Sequence, residues 1–158
     1  MDPKFIFLAK FFALFLILQA IVLVVDLTWM QNAIAAGVSS LDGTAYSGKF
    51  VNVKDGAFEI TPSCTGLVIA AILAAVIFSM KKPDMKKKAA LFLTGTAILL
   101  VLNYFRVLLV VIVGRDFGIG AAEILHVISW FVMSAGIILI WYVFTKKMTK
   151  TESFDGFL

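Results

Sequence analysis

Residues 61–67 read Thr61-Pro62-Ser63-Cys64-Thr65-Gly66-Leu67, where a polar segment meets an apolar one and the only cysteine of the chain occurs. Proline suits the first position of a helix because it has no N–H to lose, and threonine suits the position before it. The stretch therefore predicts a helix that begins near Pro62, with Cys64 in its first turn. The helix dipole and the free amides of that turn favour a thiolate. The alternative is a small buried packing residue, the commoner role of a free cysteine.

The composition outside this stretch is that of an integral membrane protein. Hydrophobic residues make up 61% of the 158 residues, against roughly 45–50% in soluble domains. The mean hydropathy is +1.01. A chain of this length suits one compact unit, so we expect a single membrane domain over residues 1–158.

The charge pattern and the cysteine count exclude several classes of function. The net charge of +4 comes largely from lysines beside apolar runs, which is typical of membrane topology signals and not of a nucleic-acid surface. One cysteine cannot form an intramolecular disulfide. No His/Cys pair has the spacing of metal ligands. We therefore expect no nucleic-acid partner, no metal and no cofactor.

Apolar runs predict an all-α membrane protein with four transmembrane helices, over about residues 5–29, 62–80, 88–113 and 121–145. The first run could instead belong to a signal peptide. It is longer than the apolar core of such a peptide, about 7–15 residues, so we expect it to be a retained helix.

Clusters of lysine indicate the orientation of these helices. Five lysines surround Pro83 between the second and third runs, Lys4 precedes the first, and further lysines follow the fourth at positions 146, 147 and 150. Cations near helix ends favour the cytoplasmic side. We therefore expect a multi-pass protein of the plasma membrane with both termini in the cytoplasm and residues 37–61 outside. A glycine-rich loop, residues 114–120, would join the last two helices outside.

The external segment contains a predicted β-hairpin. Residues 37–48 are aperiodic and predict a surface loop. Taking Asp55-Gly56 as a two-residue turn pairs Val53 with Phe58 and Val51 with Ile60. These four residues would form an apolar face that lies on the helix ends. The hairpin is either a connector or a cover over a site.

The predicted topology brings polar residues of three helices to a similar depth. Cys64 begins the second helix, Arg106 lies in the outer half of the third, and His126 lies near the outer end of the fourth. Asn103 is one turn before Arg106, and Glu123 is three residues before His126. Each has a simpler explanation. Arginine can extend to the headgroups, histidine and asparagine can join helices, and glutamate can lie exposed.

Together these residues suit nucleophilic acyl transfer. A thiolate is a strong nucleophile, and an adjacent imidazole can take up and return its proton. A guanidinium stays protonated, so Arg106 would hold negative charge on sulfur or on an oxyanion. A polar intramembrane cluster is a functional site by default. We therefore expect one shared site.

The chain resembles the exosortase/archaeosortase family, membrane-embedded cysteine transpeptidases, in three motifs of matching order and topology: Cys64-Thr65-Gly66-Leu67, Asn103-Tyr104-Phe105-Arg106 and His126. The resemblance implies cleavage of a C-terminal sorting signal on exported proteins, a thioester intermediate, and transfer to an acceptor such as a lipid head group. It makes Cys64 the nucleophile, His126 the proton-transfer residue and Arg106 the charge stabiliser, positioned by Asn103. Thr65 and Gly66 complete the motif, and Glu123 is a further supporting residue. Many members of the family have about twice as many spans as the four predicted here.

Two other functions remain open. The chain could be a small binding protein or subunit whose Arg106 and His126 line a cavity, with Cys64 incidental. It could also be a thiol redox sensor, although no second cysteine is present to resolve a sulfenic acid.

Overall fold

The computed structural model describes residues 2–149, with side chains to residue 147, so Lys150 and the positions after it lie outside the described residues. Its elements in chain order are the helices and strands α1 (Pro3–Val24), α2 (Thr28–Asp42), β1 (Tyr46–Ser47), β2 (Phe50–Val53), β3 (Gly56–Glu59), a 3-10 turn (Pro62–Thr65), α3 (Leu67–Ser79), α4 (Met85–Phe117) and α5 (Ile119–Thr149). We call Pro62–Thr65 the Cys64 turn.

Within the described residues, three helices are long and apolar enough to cross a membrane: α1, α4 and α5. The prediction of a mostly helical membrane protein is confirmed. The second predicted span, residues 62–80, is not one continuous α-helix. Gly66 has a φ of +83° and separates the Cys64 turn from α3. The 13 residues of α3 extend about 20 Å, less than the hydrocarbon core of about 30 Å.

Helix α3 lies at the centre of the bundle. Most of its side chains are buried, and it packs against α1, α4 and α5. An apolar surface on all sides is typical of such a central helix. Helix α1 packs on α3 but has no buried residue of its own, so much of its apolar surface is left to face lipid.

The first predicted helix and the predicted loop after it are both wrong in their bounds. The chain leaves α1 at Val24, not at residue 29, and residues 37–42 belong to α2. Asp26 Oδ1 accepts a hydrogen bond from the Thr28 amide at 2.9 Å, which starts α2. Ala35 and Val38 are completely buried in a core beneath the sheet. Burial of this face stabilises a helix that its Gly and Ser residues disfavour.

The glycine-rich loop predicted at residues 114–120 is wrong, because only one residue of this segment lies outside the helices. Helix α4 continues to Phe117 and α5 begins at Ile119, so both helices exceed the predicted 88–113 and 121–145. Only Gly118 interrupts them, with a φ of +94°. The Ile119 amide donates to Asp55 Oδ1 at 2.6 Å, which fixes the start of α5.

The predicted hairpin is present within a three-stranded antiparallel sheet of order β1-β2-β3. Its predicted register is wrong, because Val51 pairs with Phe58 and Val53 pairs with Gly56. The turn lies at Lys54-Asp55, one residue earlier than predicted, where the Asp55 carboxylate reaches α5. The change of pairing is two residues, so the alternation of faces is preserved. Val51, Phe58 and Ile60 are buried, as expected.

Candidate active site

Cys64 lies in a short 3-10 turn and not in the first turn of an α-helix. Its amide donates to Thr61 O at 2.9 Å, and its side chain is completely buried. The predicted capping of helix amides by Thr61 does not occur. Thr61 Oγ1 instead lies 3.4 Å from Cys64 Sγ and 2.7 Å from Ser63 Oγ. The helix-dipole reason for a thiolate is therefore weakened, because α3 begins three residues after Cys64.

Thr65 and Gly66 shape the chain after Cys64. Thr65 Oγ1 donates to Pro62 O at 2.6 Å and closes the Cys64 turn. A Cβ at Gly66 would lie 2.8 Å from Leu100 Cδ2 and 3.2 Å from Asn103 Nδ2. Glycine at this position therefore permits both the left-handed conformation and the close approach of the turn to α4.

Asn103 connects the Cys64 turn to Arg106. Its Nδ2 donates to Cys64 O at 2.7 Å, and its Oδ1 accepts from Arg106 Nη1 at 3.1 Å. Both side chains are buried. A buried amide with partners on both ends has a fixed orientation, so Asn103 fixes the guanidinium relative to the backbone of Cys64.

Arg106 is a buried cation with polar partners on α5. Its Nε donates to Ser129 Oγ at 2.7 Å, its Nη2 lies 3.2 Å from His126 Nδ1, and the guanidinium lies over the Trp130 ring at 5.2 Å. No carboxylate pairs with Arg106 among the side chains of residues 2–147. A buried, uncompensated cation favours negative charge beside it, which suits a thiolate or an oxyanion.

His126 is half-buried and held by contacts with Arg106, Trp130 and Phe58. Trp130 Nε1 donates to His126 Nε2 at 3.3 Å, and because an indole only donates, Nε2 carries a lone pair in this arrangement. The Phe58 ring packs at 5.7 Å between centroids. Glu123 is exposed, and no hydrogen bond joins it to His126 in the described part of the chain.

A cleft of about 300 Å³ opens beside these residues, between β3 and the start of α5. Thr61 and His126 both line it, together with Phe58, Ile119 and Glu123. Since Thr61 also contacts Cys64 Sγ, its hydroxyl links the thiol to the cleft. Within the described residues no hydrogen bond joins Cys64 Sγ to His126.

An apolar groove of about 400 Å³ runs between α4 and α5. Arg106 and Ser129 line it, and the rest of the lining is almost entirely aliphatic or aromatic: Leu99, Leu102, Phe105, Leu109, Leu125, Ile128, Val132, Met133 and Gly136. The groove therefore connects a membrane-facing apolar surface to the polar cluster.

Three residues of the site were not predicted from the sequence: Ser129, Trp130 and Gln31. Ser129 and Trp130 follow His126 by three and four residues, the spacing of one helix face, which could have indicated them. Gln31 is buried on α2, and its Nε2 donates to Ile60 O at 2.6 Å, just before Thr61. No group of three or more potential metal ligands occurs in residues 2–147.

The apolar helices and the buried polar cluster define a multi-pass protein embedded in a membrane. The family model for transmembrane exosortase (Exosortase_EpsH) matches residues 4–142. The chain therefore belongs to the transmembrane exosortase family, which confirms the resemblance inferred from the three motifs. No curated protein and no solved structure matches the chain.

Proposed function

We propose that the chain is an intramembrane cysteine protease and transpeptidase. It would cleave the C-terminal sorting signal of exported proteins through a Cys64 thioester and transfer them to a membrane acceptor. The observation that carries this proposal is the continuous path of hydrogen bonds from Cys64 O through Asn103 and Arg106 to His126 Nε2, the ring nitrogen that carries the lone pair. Family membership supports the same chemistry.

In the first step, Cys64 Sγ attacks the carbonyl carbon of the scissile peptide bond. His126 takes the thiol proton, directly or through the Thr61 hydroxyl, and the C–S bond forms as the carbonyl oxygen becomes an oxyanion. Collapse of this intermediate breaks the C–N bond. The proton passes from His126 to the leaving nitrogen, so the signal segment departs as a free amine.

In the second step, an acceptor resolves the thioester. A hydroxyl or amine, for example of a lipid head group, attacks the thioester carbon while His126 removes its proton. The C–S bond breaks, the new ester or amide is released, and the proton returns to Cys64. Water as the acceptor would give hydrolysis. Arg106 remains protonated throughout and stabilises the oxyanion in both steps.

The reaction requires the cleft to widen at Thr61, because Cys64 is completely buried in this conformation. Thr61 lies between Cys64 Sγ and the cleft that His126 lines. We infer that an extended substrate segment entering beside β3 displaces Thr61 and brings its carbonyl to the sulfur. A closed site also protects the thiol from reaction without substrate.

The transmembrane part of the sorting signal would lie in the groove between α4 and α5. That groove is apolar, faces lipid, and reaches Arg106 and Ser129 at the polar cluster. A substrate helix in this position would deliver the residues just outside the membrane to the cleft. The occupant we assign to the groove is therefore the signal helix.

We infer that α3, with the Cys64 turn, is a fourth and short crossing of the membrane, and that the site faces the outside of the plasma membrane. The polar segments at the Cys64 end carry three cations, Lys49, Lys54 and Arg115, of which Lys49 bonds Glu59 at 2.7 Å and Arg115 bonds Asp42 at 2.6 Å. The opposite end, where α1 begins and α3 ends, carries the lysines of residues 81–88. This asymmetry supports cytoplasmic termini.

Signal processing in cells tests the proposal. Cells that normally carry this chain would express a single version of it: the unmodified chain (the parent), Cys64→Ala, or the control Ser40→Ala. The C-termini of exported proteins that end in an apolar helix and a basic cluster would be determined by mass spectrometry. We expect removal of the signal with the parent and with Ser40→Ala, and retention with Cys64→Ala. Equal processing by Cys64→Ala would contradict the proposal.

The complete burial of Cys64 favours a second function, a binding protein or subunit in which the thiol is a packing residue. In that case Cys64→Ala would leave the exported proteins unchanged relative to the parent. Arg106→Ala and His126→Ala would alter binding at the cleft without any effect on C-termini. The same cellular experiment therefore separates the two functions.

A further inference from the structure

A second cavity lies at the end of the bundle remote from Cys64. It has a volume of about 360 Å³ and lies between the first turns of α1 and the end of α3. Lys10, Ser79 and Lys81 supply its polar lining, and Ile6 and Phe7 supply apolar walls. We call it the lysine cavity.

The lysine cavity carries positive charge without a counter-ion. Neither Lys10 nor Lys81 pairs with a carboxylate anywhere in the described ranges. Lys88 is buried and donates to Met80 O, one residue before Lys81. Two acidic residues lie close to these lysines in sequence. Asp84 pairs with Lys87 at 3.6 Å, and Asp2, which precedes Pro3 of the lining, accepts a hydrogen bond from the Lys4 amide. Cations gathered in this way favour binding of an anion.

Ser79 gives a second and independent indication of a ligand. Its side chain is only 4% exposed, it lines the lysine cavity, and its Oγ has no hydrogen-bond partner among the described groups. Buried hydroxyls nearly always have a partner, because an unpaired one loses its hydrogen bonds to water without replacement. A bound acceptor in the cavity would satisfy this hydroxyl.

We propose that the lysine cavity binds a phosphate group, held by Lys10 and Lys81 with a hydrogen bond from Ser79. Phosphate matches two ammonium groups and a hydroxyl donor in both charge and acceptor number. Basic pockets between helices at the cytoplasmic side of membrane proteins suit anionic headgroups. The apolar walls of Ile6 and Phe7 suit the acyl chain that accompanies a lipid phosphate. A free phosphate ion shares the same chemistry.

Binding by the purified full-length chain tests this site without reference to catalysis. Native mass spectrometry in detergent would measure dissociation constants for dioleoyl-phosphatidylglycerol and dioleoyl-phosphatidylcholine. The thermal midpoint with and without inorganic phosphate would detect a free anion. The variants are Lys10→Gln/Lys81→Gln and Ser79→Ala. The matched control is Lys86→Gln/Lys147→Gln, which removes two exposed cations that do not line the cavity.

We expect the parent to prefer phosphatidylglycerol over phosphatidylcholine by about thirty-fold, from two lysines near an anionic headgroup. Lys10→Gln/Lys81→Gln should lose this preference, and Ser79→Ala should lower it about ten-fold. The control should keep it.

A midpoint raised by inorganic phosphate in the parent but not in Lys10→Gln/Lys81→Gln, with no lipid preference, would support the site and assign it to a free anion. Because phosphatidylcholine also contains a phosphate, equal binding of both lipids would overturn the proposal when Lys10→Gln/Lys81→Gln binds them as the parent does and inorganic phosphate has no effect. An equal loss of lipid preference in Lys86→Gln/Lys147→Gln would also overturn the proposal. The preference would then depend on the net charge of the protein and not on the lysine cavity.

Discussion

At the Cys64 end of the bundle, hydrogen bonds join Asn103 to Arg106 and Arg106 to His126 Nε2. At the opposite end, beside the lysine cavity, Ser79 Oγ is buried without a partner among the described groups. A network with its members paired is rigid and holds its groups in one geometry. A cavity lined by hydrogen-bond donors without partners can instead bind a ligand that supplies the acceptor. The two ends therefore differ in kind, and the difference accords with the proposed reaction at one end and the proposed phosphate site at the other.

The largest expected effect is that of removing the cation from the Cys64 end. Arg106→Gln should lower the rate of signal cleavage by about 10²–10³-fold, because the oxyanion loses its charged donor. The matched control is Arg115→Gln on the same helix, which removes an arginine whose side chain is 44% exposed and pairs with Asp42. Its rate should stay within about two-fold.

This comparison is measured with protein in vesicles and a substrate that carries a sorting signal. Thermal midpoints of both variants separate loss of chemistry from loss of folding. Equal rates for the two arginine variants would show that the buried guanidinium is not part of the reaction.

A smaller effect is expected from filling the space beside Cys64. Gly66→Ala adds a Cβ at a left-handed position, which costs about 1–2 kcal/mol, and the Cβ would lie 2.8 Å from Leu100 Cδ2. The thermal midpoint in detergent should fall. Gly120→Ala, with no atom within 4 Å of its Cβ, should change stability by no more than about 0.5 kcal/mol. Similar midpoints for both variants would contradict the close packing of the Cys64 turn on α4.

The smallest expected effect is the change in cleavage rate when the lysine cavity is altered. Lys10→Gln/Lys81→Gln should leave the cleavage rate in phosphatidylcholine vesicles within about two-fold of the parent, because the lysine cavity lies at the opposite end of the bundle. Cleavage assays of the parent and this variant in the same vesicles measure the effect. A loss as large as that of Arg106→Gln would mean that the two ends of the molecule do not have separate roles.

The apolar runs predicted the helices well because length and composition alone determine which segments suit a membrane. Helix α2 was missed because Gly37, Ser39 and Ser40 indicate a loop, and only packing against the core stabilises it. Its buried residues Gln31, Ala35 and Val38 have helical spacing, but their burial is visible only in the structure. The hairpin register depends on the bond between Asp55 and Ile119, a tertiary contact that no local pattern contains.

The polar members of the cluster were visible in the sequence because Arg106, Asn103 and His126 are costly in an apolar helix. Ser129 and Trp130 were not identified, because serine and tryptophan are common in membrane segments. Their roles depend on how α4 and α5 pack. The position of Cys64 before α3, and not within it, follows from Gly66, whose left-handed conformation is not evident from the sequence.

The central claim is that Cys64 forms a covalent bond to the substrate. It is tested most directly by acid-quenching cells that express the chain with a tagged exported protein and separating the proteins on a non-reducing denaturing gel. We predict a joined species of enzyme and tagged protein that is cleaved by neutral hydroxylamine, as a thioester is, and that is absent with Cys64→Ala. Removal of the signal without any such species, or its persistence in Cys64→Ala, would contradict the account.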